Sequence, residues 1–422
     1  MAPWVHTYLS PQTERRMCCA SREPAQNFEQ YIDTKAGTGN YIPITLEEHW
    51  NSDHMKSVRQ RMMAGETLPE CEVCNDKLLN TSVYRSYFNQ MFGHKYECIQ
   101  DTTDAEGYTT MRPVSWDYRF SNLCNFKCRT CGDMLSSSWE VEQRQHNMIN
   151  WDNPKNNWMR PDVKKQIEMF QESQIEQEFA TAVESHQVEE VYWVGGEPLM
   201  YEQHWRYMKR IVELGDGKNV YARYNTNLSR VNYRGTNLCS DILSRLRDWQ
   251  ICASLDGTEA IGEYIRTGLD YVSWLENLQE VIRISSHRRQ VRIDFTLTLP
   301  GMFEVENITK LAKTLDVDIL AKVIFSFSPD IILSPLALPK HILHPWLDEL
   351  IPKTHGAMQD ILIQLKSRPT FEEQFPDTYK EGLVKGKARI LHLERIRQDE
   401  LILADILLER NDTFEWYQSI PC

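Results

Sequence analysis

The sequence lacks any run of about eighteen consecutive apolar residues, so no segment reads as a membrane-spanning helix and no membrane partner is expected. Its first residues, MAPWVHTYLSPQ, lack a basic stretch followed by an apolar one, which removes a secretory signal from the reading. A cytoplasmic location is the resulting expectation. Positive charge is in deficit. Lys and Arg number 47 against 60 Asp and Glu, leaving a net charge of −13. Nucleic acid is usually bound through a basic face that neutralises phosphates, so no nucleic-acid partner is expected. A local basic run, SSHRRQVR from Ser285 to Arg292, reads as a solvated turn leading into a strand. Internal repeats and low-complexity tracts are absent too, which excludes a solenoid or a disordered linker protein.

What remains is an ordinary globular composition, with 41% hydrophobic and 25% charged residues over 422 positions. That length favours more than one domain. From about residue 112 the pattern alternates. Strand candidates are Val114 to Phe120, Val188 to Val194, Val220 to Tyr224, Gln250 to Leu255, Val291 to Leu299 and Ile319 to Phe327. Amphipathic stretches such as Glu202 to Leu214 and Ser273 to Ile284 separate them. Parallel strands need crossover connections, so this alternation predicts an α/β fold, a partial (β/α)6 TIM-like barrel or a doubly wound sheet. The long connection from Trp139 to Gln187 predicts two helices with a polar turn at Asn153 and Pro154. Upstream, WVHTYLS reads as a strand, and ITLEEHWNSDHMKSVRQRMMAGE reads as one helix stopping near Gly65. Three segments follow: a cysteine-rich 1–110, an alternating 111–330 and a helical 331–422.

Cysteine is the residue present in excess. Eleven occur, and eight of them lie in the first third: Cys18, Cys19, Cys71, Cys74, Cys98, Cys124, Cys128 and Cys131. A reducing compartment disfavours disulfides, so this clustering points to metal ligation or catalysis. Cys124, Cys128 and Cys131 have the spacing C-x3-C-x2-C within WDYRFSNLCNFKCRTCGDM, directly after the first alternating strand. A [4Fe–4S] cluster commonly takes four thiolates, so three on one loop leave an iron open to another ligand. The strand's C-terminal end is where sites of alternating barrels lie. A zinc knuckle completed elsewhere, or three unrelated buried thiols, are the alternatives.

The triad resembles the signature of the radical S-adenosylmethionine (SAM) superfamily. Thr130 stands where relatives often carry an aromatic residue. The resemblance implies a [4Fe–4S] cluster on Cys124, Cys128 and Cys131, with SAM on the fourth iron. It further implies one-electron cleavage to methionine and a 5′-deoxyadenosyl radical, with an external donor such as flavodoxin or ferredoxin. VYWVGGEPLM resembles the family's GGEP motif, placing Gly195, Gly196, Glu197 and Pro198 near the SAM amino group. Asn227 at the third strand's end, Ser254 and Asp256 in ASLDG, and Arg266 in EYIRTG are the further SAM contacts that the resemblance implies. The plain alternatives are an Asn-rich turn at 227 and a structural salt bridge for Arg266. Cys252 alternates with Ser254 and reads as a buried thiol.

The segment holding Cys18, Cys19, Cys71 and Cys74 resembles the SPASM and twitch modules of peptide- and protein-modifying radical SAM enzymes. Those modules follow the barrel in relatives, whereas this one precedes it. The resemblance implies one auxiliary iron–sulfur cluster, with Cys71 and Cys74 as ligands, then Cys18 or Cys19, then Cys98. Structural zinc is the alternative. It also implies a peptide or protein substrate; a radical SAM enzyme acting on a small molecule, or a non-catalytic iron–sulfur or zinc binding protein, are the alternatives.

Overall fold

A computed structural model describes residues 1–21, 41–77, 84–327 and 330–421. Gly37 and Gly39, where the sequence reads as a polar loop, and Cys422 lie outside the described residues. Among the described residues, no helix is long and apolar enough to cross a membrane. The chain packs as two compact units, each taken in turn.

The first unit comprises Met1–Cys124, Asp133–Tyr224 and Gly235–Trp249. Its main strands are β1 (His6–Leu9), β2 (Arg15–Arg16), β3 (Ser115–Tyr118), β4 (Glu190–Trp193) and β5 (Tyr221–Thr226), the last belonging to this unit up to Tyr224. β1, β3, β4 and β5 lie side by side in that order and run parallel, and the two residues of β2 pair antiparallel with β1. The strand expected in WVHTYLS is therefore a working member of the sheet, next to β3.

Side-chain alternation gives this sheet two unlike faces. On one, Trp116 of β3 and Trp193 of β4 meet Phe179 of the helix Glu176–Glu184, with ring centroids 5.5 and 5.9 Å apart. Phe120 joins them at 5.8 Å. These rings are almost fully buried and form the layer between sheet and helices. The opposite face is polar yet equally buried. Glu190 accepts from Arg223 Nε at 2.7 Å, from Tyr87 Oη at 2.5 Å and from Ser115 Oγ. Ser115 Oγ also bonds His6 Nδ1 at 2.7 Å. Burial alone disfavours the Glu190 carboxylate, but Arg223 and these bonds hold its pKa below the ordinary value.

The helical segment before β3 differs from its expectation. The single helix expected over ITLEEHWNSDHMKSVRQRMMAGE is two, Leu46–Trp50 and Asp53–Met63. Ser52 causes the break. Its hydroxyl caps the second helix by accepting from Met55 N, and a capping residue sits in extended rather than helical conformation. Trp50 is buried, and Met55 and Val58 pack into an apolar cluster with Trp4, Cys18, Leu68, Phe88 and Ile99. In the 139–187 connection, the helices Ser137–Gln145 and Pro161–Phe170 flank the polar turn, and the second runs on through a π-turn into Glu176–Glu184.

The second unit comprises Asn125–Gly132, Asn225–Arg234 and Gln250–Cys422. β6 (Asp248–Ser254), β7 (Val291–Leu297) and β8 (Asp318–Val323) run parallel in that order. The helices Tyr271–Arg283 and Val305–Leu315 provide the crossovers. Ile251, Ala253, Ile293, Phe295, Leu278 and Ile308 are fully buried. All six expected strands of the alternation exist, and the α/β class holds. The tail is helical as its spacing predicts, with Lys340–Leu350, Gly356–Ser367 and Tyr379–Arg397 as its longest members.

His204 sits between Trp193, Trp205 and Tyr224, and burial lowers its pKa to about 3. His6 is lowered to about 4 for the same first reason. Unfolding releases both to their ordinary range, so the unfolded chain binds more protons between pH 6.5 and 4. Stability therefore falls as pH drops through that window, by up to about 1.4 kcal/mol per pH unit for each histidine. Urea unfolding of wild type and His204→Phe checks this: the variant shows a shallower slope.

Candidate functional site

The cysteine triad, the GGEP turn, Asn227, Ser254 and Asp256 fall on the C-terminal ends of parallel strands and on the loops after them, whereas Arg266 ends a helix and the N-terminal cysteines lie elsewhere. In the first unit, β3 ends at Tyr118 and the chain turns irregular up to Cys124. The first residues of helix Ser137–Gln145 hold this stretch. Cys124 N donates to Ser137 Oγ at 3.1 Å, and Ser138 Oγ donates to Cys124 O at 2.7 Å. Ser137 N donates to Asn122 O at 2.7 Å, and Asn122 Nδ2 donates to Asp133 O at 2.9 Å.

The GGEP turn after β4 closes onto the same stretch. Glu197 N donates to Leu123 O at 2.7 Å, one residue before Cys124. Gly195 and Gly196 are both left-handed, at φ +78° and +49°. A Cβ on Gly196 would stand 2.6 Å from Leu123 O, so glycine is required there on two counts. Glu197 is buried, and its Oε1 accepts from Leu199 N at 3.0 Å, capping the turn Pro198–Met200. Tyr201 Oη donates to Ser121 O at 2.6 Å and also contacts Gly195 O. Arg119 lies under Gly195, paired with Asp117 at 3.1 Å and stacked 4.9 Å from the Tyr8 ring. Sequence reasoning passed over Asp117 and Arg119. Their alternation with Trp116, Tyr118 and Phe120 in WDYRF was the available signal, since two charges on one face of a buried strand require a polar interior.

In the second unit, Cys131 N donates to Cys128 O at 3.1 Å, a tight turn carrying both thiols. Lys127 N and Arg129 N donate to Thr267 O and Ile265 O, each at 2.8 Å. Asn227 Nδ2 donates to Asn125 Oδ1 at 3.0 Å, so this predicted residue braces the loop between the first two cysteines. Arg266 lies 3.7 Å from Cys128 Sγ and pairs with Asp256 at 2.9 Å. Burial pushes the Cys128 thiol up to about 12, while the Arg266 guanidinium pulls the other way. Asp256 Oδ1 also accepts from Thr296 N at 2.8 Å. Ser254, half-buried, closes β6, and Cys252 is buried two residues before it. Asp294 of β7 was not anticipated. It is buried and accepts from Asn225 Nδ2 at 2.7 Å and Lys322 Nζ at 2.9 Å.

The N-terminal cysteines divide. Cys18 and Cys71 share one apolar cluster, and Cys74 is buried. Cys98 is exposed on the helix Tyr96–Thr102. Cys19 faces Asp117, Arg119 and Tyr84, and burial first, then Asp117, raises its thiol pKa. Among the described residues, no three His, Cys, Asp or Glu side chains form a ready-made metal cage. Among the described residues, ten cysteines, the triad included, take part in no disulfide.

No protein-family model matches this chain, and no curated protein matches it. Among solved structures, Streptococcus suis SuiB bound to precursor peptide SuiA is similar at 12% identity, over 78% of this chain and 69% of that one, with a TM-score of 0.36. TYW1 with a lysine–pyruvate adduct bound is similar at 15% identity, over 72% and 90%, with a TM-score of 0.31. Both likenesses are too distant to bear on chemistry.

The two glycine requirements separate by mutation. Gly65 is left-handed with open space around it, so Gly65→Ala costs about 1–2 kcal/mol. Gly196→Ala adds a collision with a backbone carbonyl to the same strain and costs more, as thermal unfolding of the two variants compares.

Proposed function

We propose that this chain is a radical SAM enzyme that binds a [4Fe–4S] cluster through Cys124, Cys128 and Cys131. One observation carries the reading. The GGEP turn of β4 is hydrogen-bonded through Glu197 N to Leu123 O, at the threshold of a C-x3-C-x2-C loop that follows a parallel strand. Three thiols are the donor type such a cluster takes, although among the described residues no three ligating side chains are already drawn together around one ion. None of the three cysteines is in a disulfide, two of them share one tight turn, and the Arg266 guanidinium beside Cys128 partly offsets the burial that disfavours its thiolate. When bound, the cluster supplies the electron that splits SAM into methionine and a 5′-deoxyadenosyl radical.

The chain's own residues hold and orient. Ser137 and Ser138 fix the backbone of Cys124, and Asn227 and Thr267 fix the loop beyond it. Gly195 and Gly196 let backbone carbonyls approach an ammonium, which needs oxygen acceptors. Arg266 is committed to Asp256 and Cys128, which favours tuning of the thiolate over pairing with the SAM carboxylate. Ser254 remains the proposed contact to SAM on β6.

The N-terminal segment is the proposed auxiliary site, with Cys71, Cys74 and Cys18 as ligands of an iron–sulfur cluster or zinc. Shared packing of Cys18 and Cys71 supports it. Cys19 faces away toward Asp117 and Arg119, and Cys98 is exposed, so both rank behind the other three. The resemblance of this segment to peptide-modifying relatives makes a peptide or protein the proposed substrate, with a flavodoxin or ferredoxin as electron donor.

The test is an iron and sulfide count on anaerobically reconstituted protein, with 5′-deoxyadenosine release from SAM under dithionite. Wild type is expected to hold about eight irons, and the Cys124/Cys128/Cys131→Ala variant about four with no 5′-deoxyadenosine. About four irons in wild type with SAM cleavage retained removes the auxiliary cluster only. Zinc in place of iron at the triad overturns the reading.

A further inference from the structure

The cysteine loop carries a fully buried guanidinium. Arg129 lies between two of the three thiols in sequence, and its side chain has no exposed surface. A charge taken out of water must be paired and hydrogen-bonded to be tolerated. Among the described residues, the partners of Nη1, Nη2 and the guanidinium face come from two places, while Nε is left without a hydrogen bond. Helix Glu259–Ile265 and the turn after it offer the Tyr264 ring, 3.8 Å from the guanidinium carbon, and Thr267 Oγ1, 3.0 Å from Nη1. The C-terminal tail offers the counter-charge, Asp399, which pairs with Arg129 Nη2.

The tail reaches this point by a defined route. Helix Tyr379–Arg397 ends at Gln398, which is left-handed at φ +55° and turns the chain back so that Asp399 follows at the helix end. The same helix end supplies two more ties. Glu394 Oε1 accepts from Tyr264 Oη at 2.8 Å and from Leu403 N at 2.7 Å. Arg397 Nη1 donates to Thr267 Oγ1 at 3.1 Å. Thr267 and Ile265 are the residues whose carbonyls receive Lys127 N and Arg129 N. The loop and the tail thus meet on one short stretch, 264–267, and Arg129 joins all three.

We propose that the C-terminal helix is a positioning element for the metal-binding loop, and that Asp399, acting through Arg129, is its positioning residue. This inference rests on the cluster reading above. The geometry of Cys128 and Cys131 follows from where Arg129 is anchored, because one residue separates Arg129 from each side of that turn at most. The negative charge of Asp399 lies beside the loop as well. Reduction makes a cluster more negative, so a nearby carboxylate opposes it and lowers the potential.

The experiment compares full-length wild type, Asp399→Asn, Asp399→Glu and Arg129→Lys after anaerobic reconstitution. Glu349→Gln, which breaks the exposed pair with Arg410 in the same tail, controls for simple loss of charge. Three quantities are read: retention of iron against a chelator, the midpoint potential by dithionite titration, and the electron paramagnetic resonance signal of the reduced cluster. Asp399→Asn and Arg129→Lys are expected to lose iron roughly tenfold or more faster, in the range of outer ligand-shell changes at metal sites. Asp399→Asn is expected to shift the potential to a more positive value. Asp399→Glu restores most of both properties, and Glu349→Gln matches wild type. Should Asp399→Asn not fold, Arg129→Lys with an intact tail reads the same brace from the loop side. Asp399→Asn and Arg129→Lys proteins that match wild type in all three quantities overturn the inference while leaving the cluster in place. Wild type that takes up no iron overturns the cluster reading, and this inference falls with it.

Discussion

A single main-chain hydrogen bond, from the Glu197 amide to the Leu123 carbonyl, sets the distance between the turn after β4 and the entry to the cysteine loop. It exists because Gly196 has no side chain and takes a left-handed conformation. Other contacts accumulate around it. Tyr201 ties the same turn to Ser121, and Ser137 and Ser138 hold Cys124 from the far side. A backbone-to-backbone tie is rigid in a way that side-chain contacts are not, since it carries no rotamer freedom. The entry to the loop is therefore fixed by the fold, before any ligand arrives.

The first unit's sheet shows why such a site needs an unusual interior. Its outer face is an aromatic layer that excludes water, and its inner face carries His6, Asp117, Glu190 and Arg223. Buried charges are expensive, and here each is answered. Glu190 meets Arg223, and Asp117 meets Arg119. Such pairs add little net stability over a well-packed apolar core. What they give is a polar buried face, on strands packed against the rings behind them.

Much of this was legible in the residues. Six strands appeared where hydrophobic runs alternated with helical spacing, and the helical tail followed from its periodicity. The triad and GGEP were found as local strings, and local strings survive any arrangement of the rest. What escaped was non-local. Arg129, Asp399 and Asp294 look like surface charges in the sequence, because composition around them is polar and their partners lie far away in the chain. The split of the expected helix at Ser52 was local, and the capping signal was present, but continuous apolar spacing on both sides masked it. The placement of β1 beside β3 depends on a long chain excursion that no periodicity encodes.

The two-residue strand β2 has a consequence for how this protein meets other chains. Beyond β1, among the described residues, its antiparallel pairing offers two rungs, Tyr8 with Arg16 and Leu9 with Arg15. Arg15 is buried against Glu178, and Arg16 is held by Glu14. Short, charged margins of this kind deny a visiting strand the backbone ladder it would need to add itself to a sheet. Strand addition is therefore disfavoured at this margin, and among the described residues the sheet is guarded there by two ion pairs and not by a covering element of its own length.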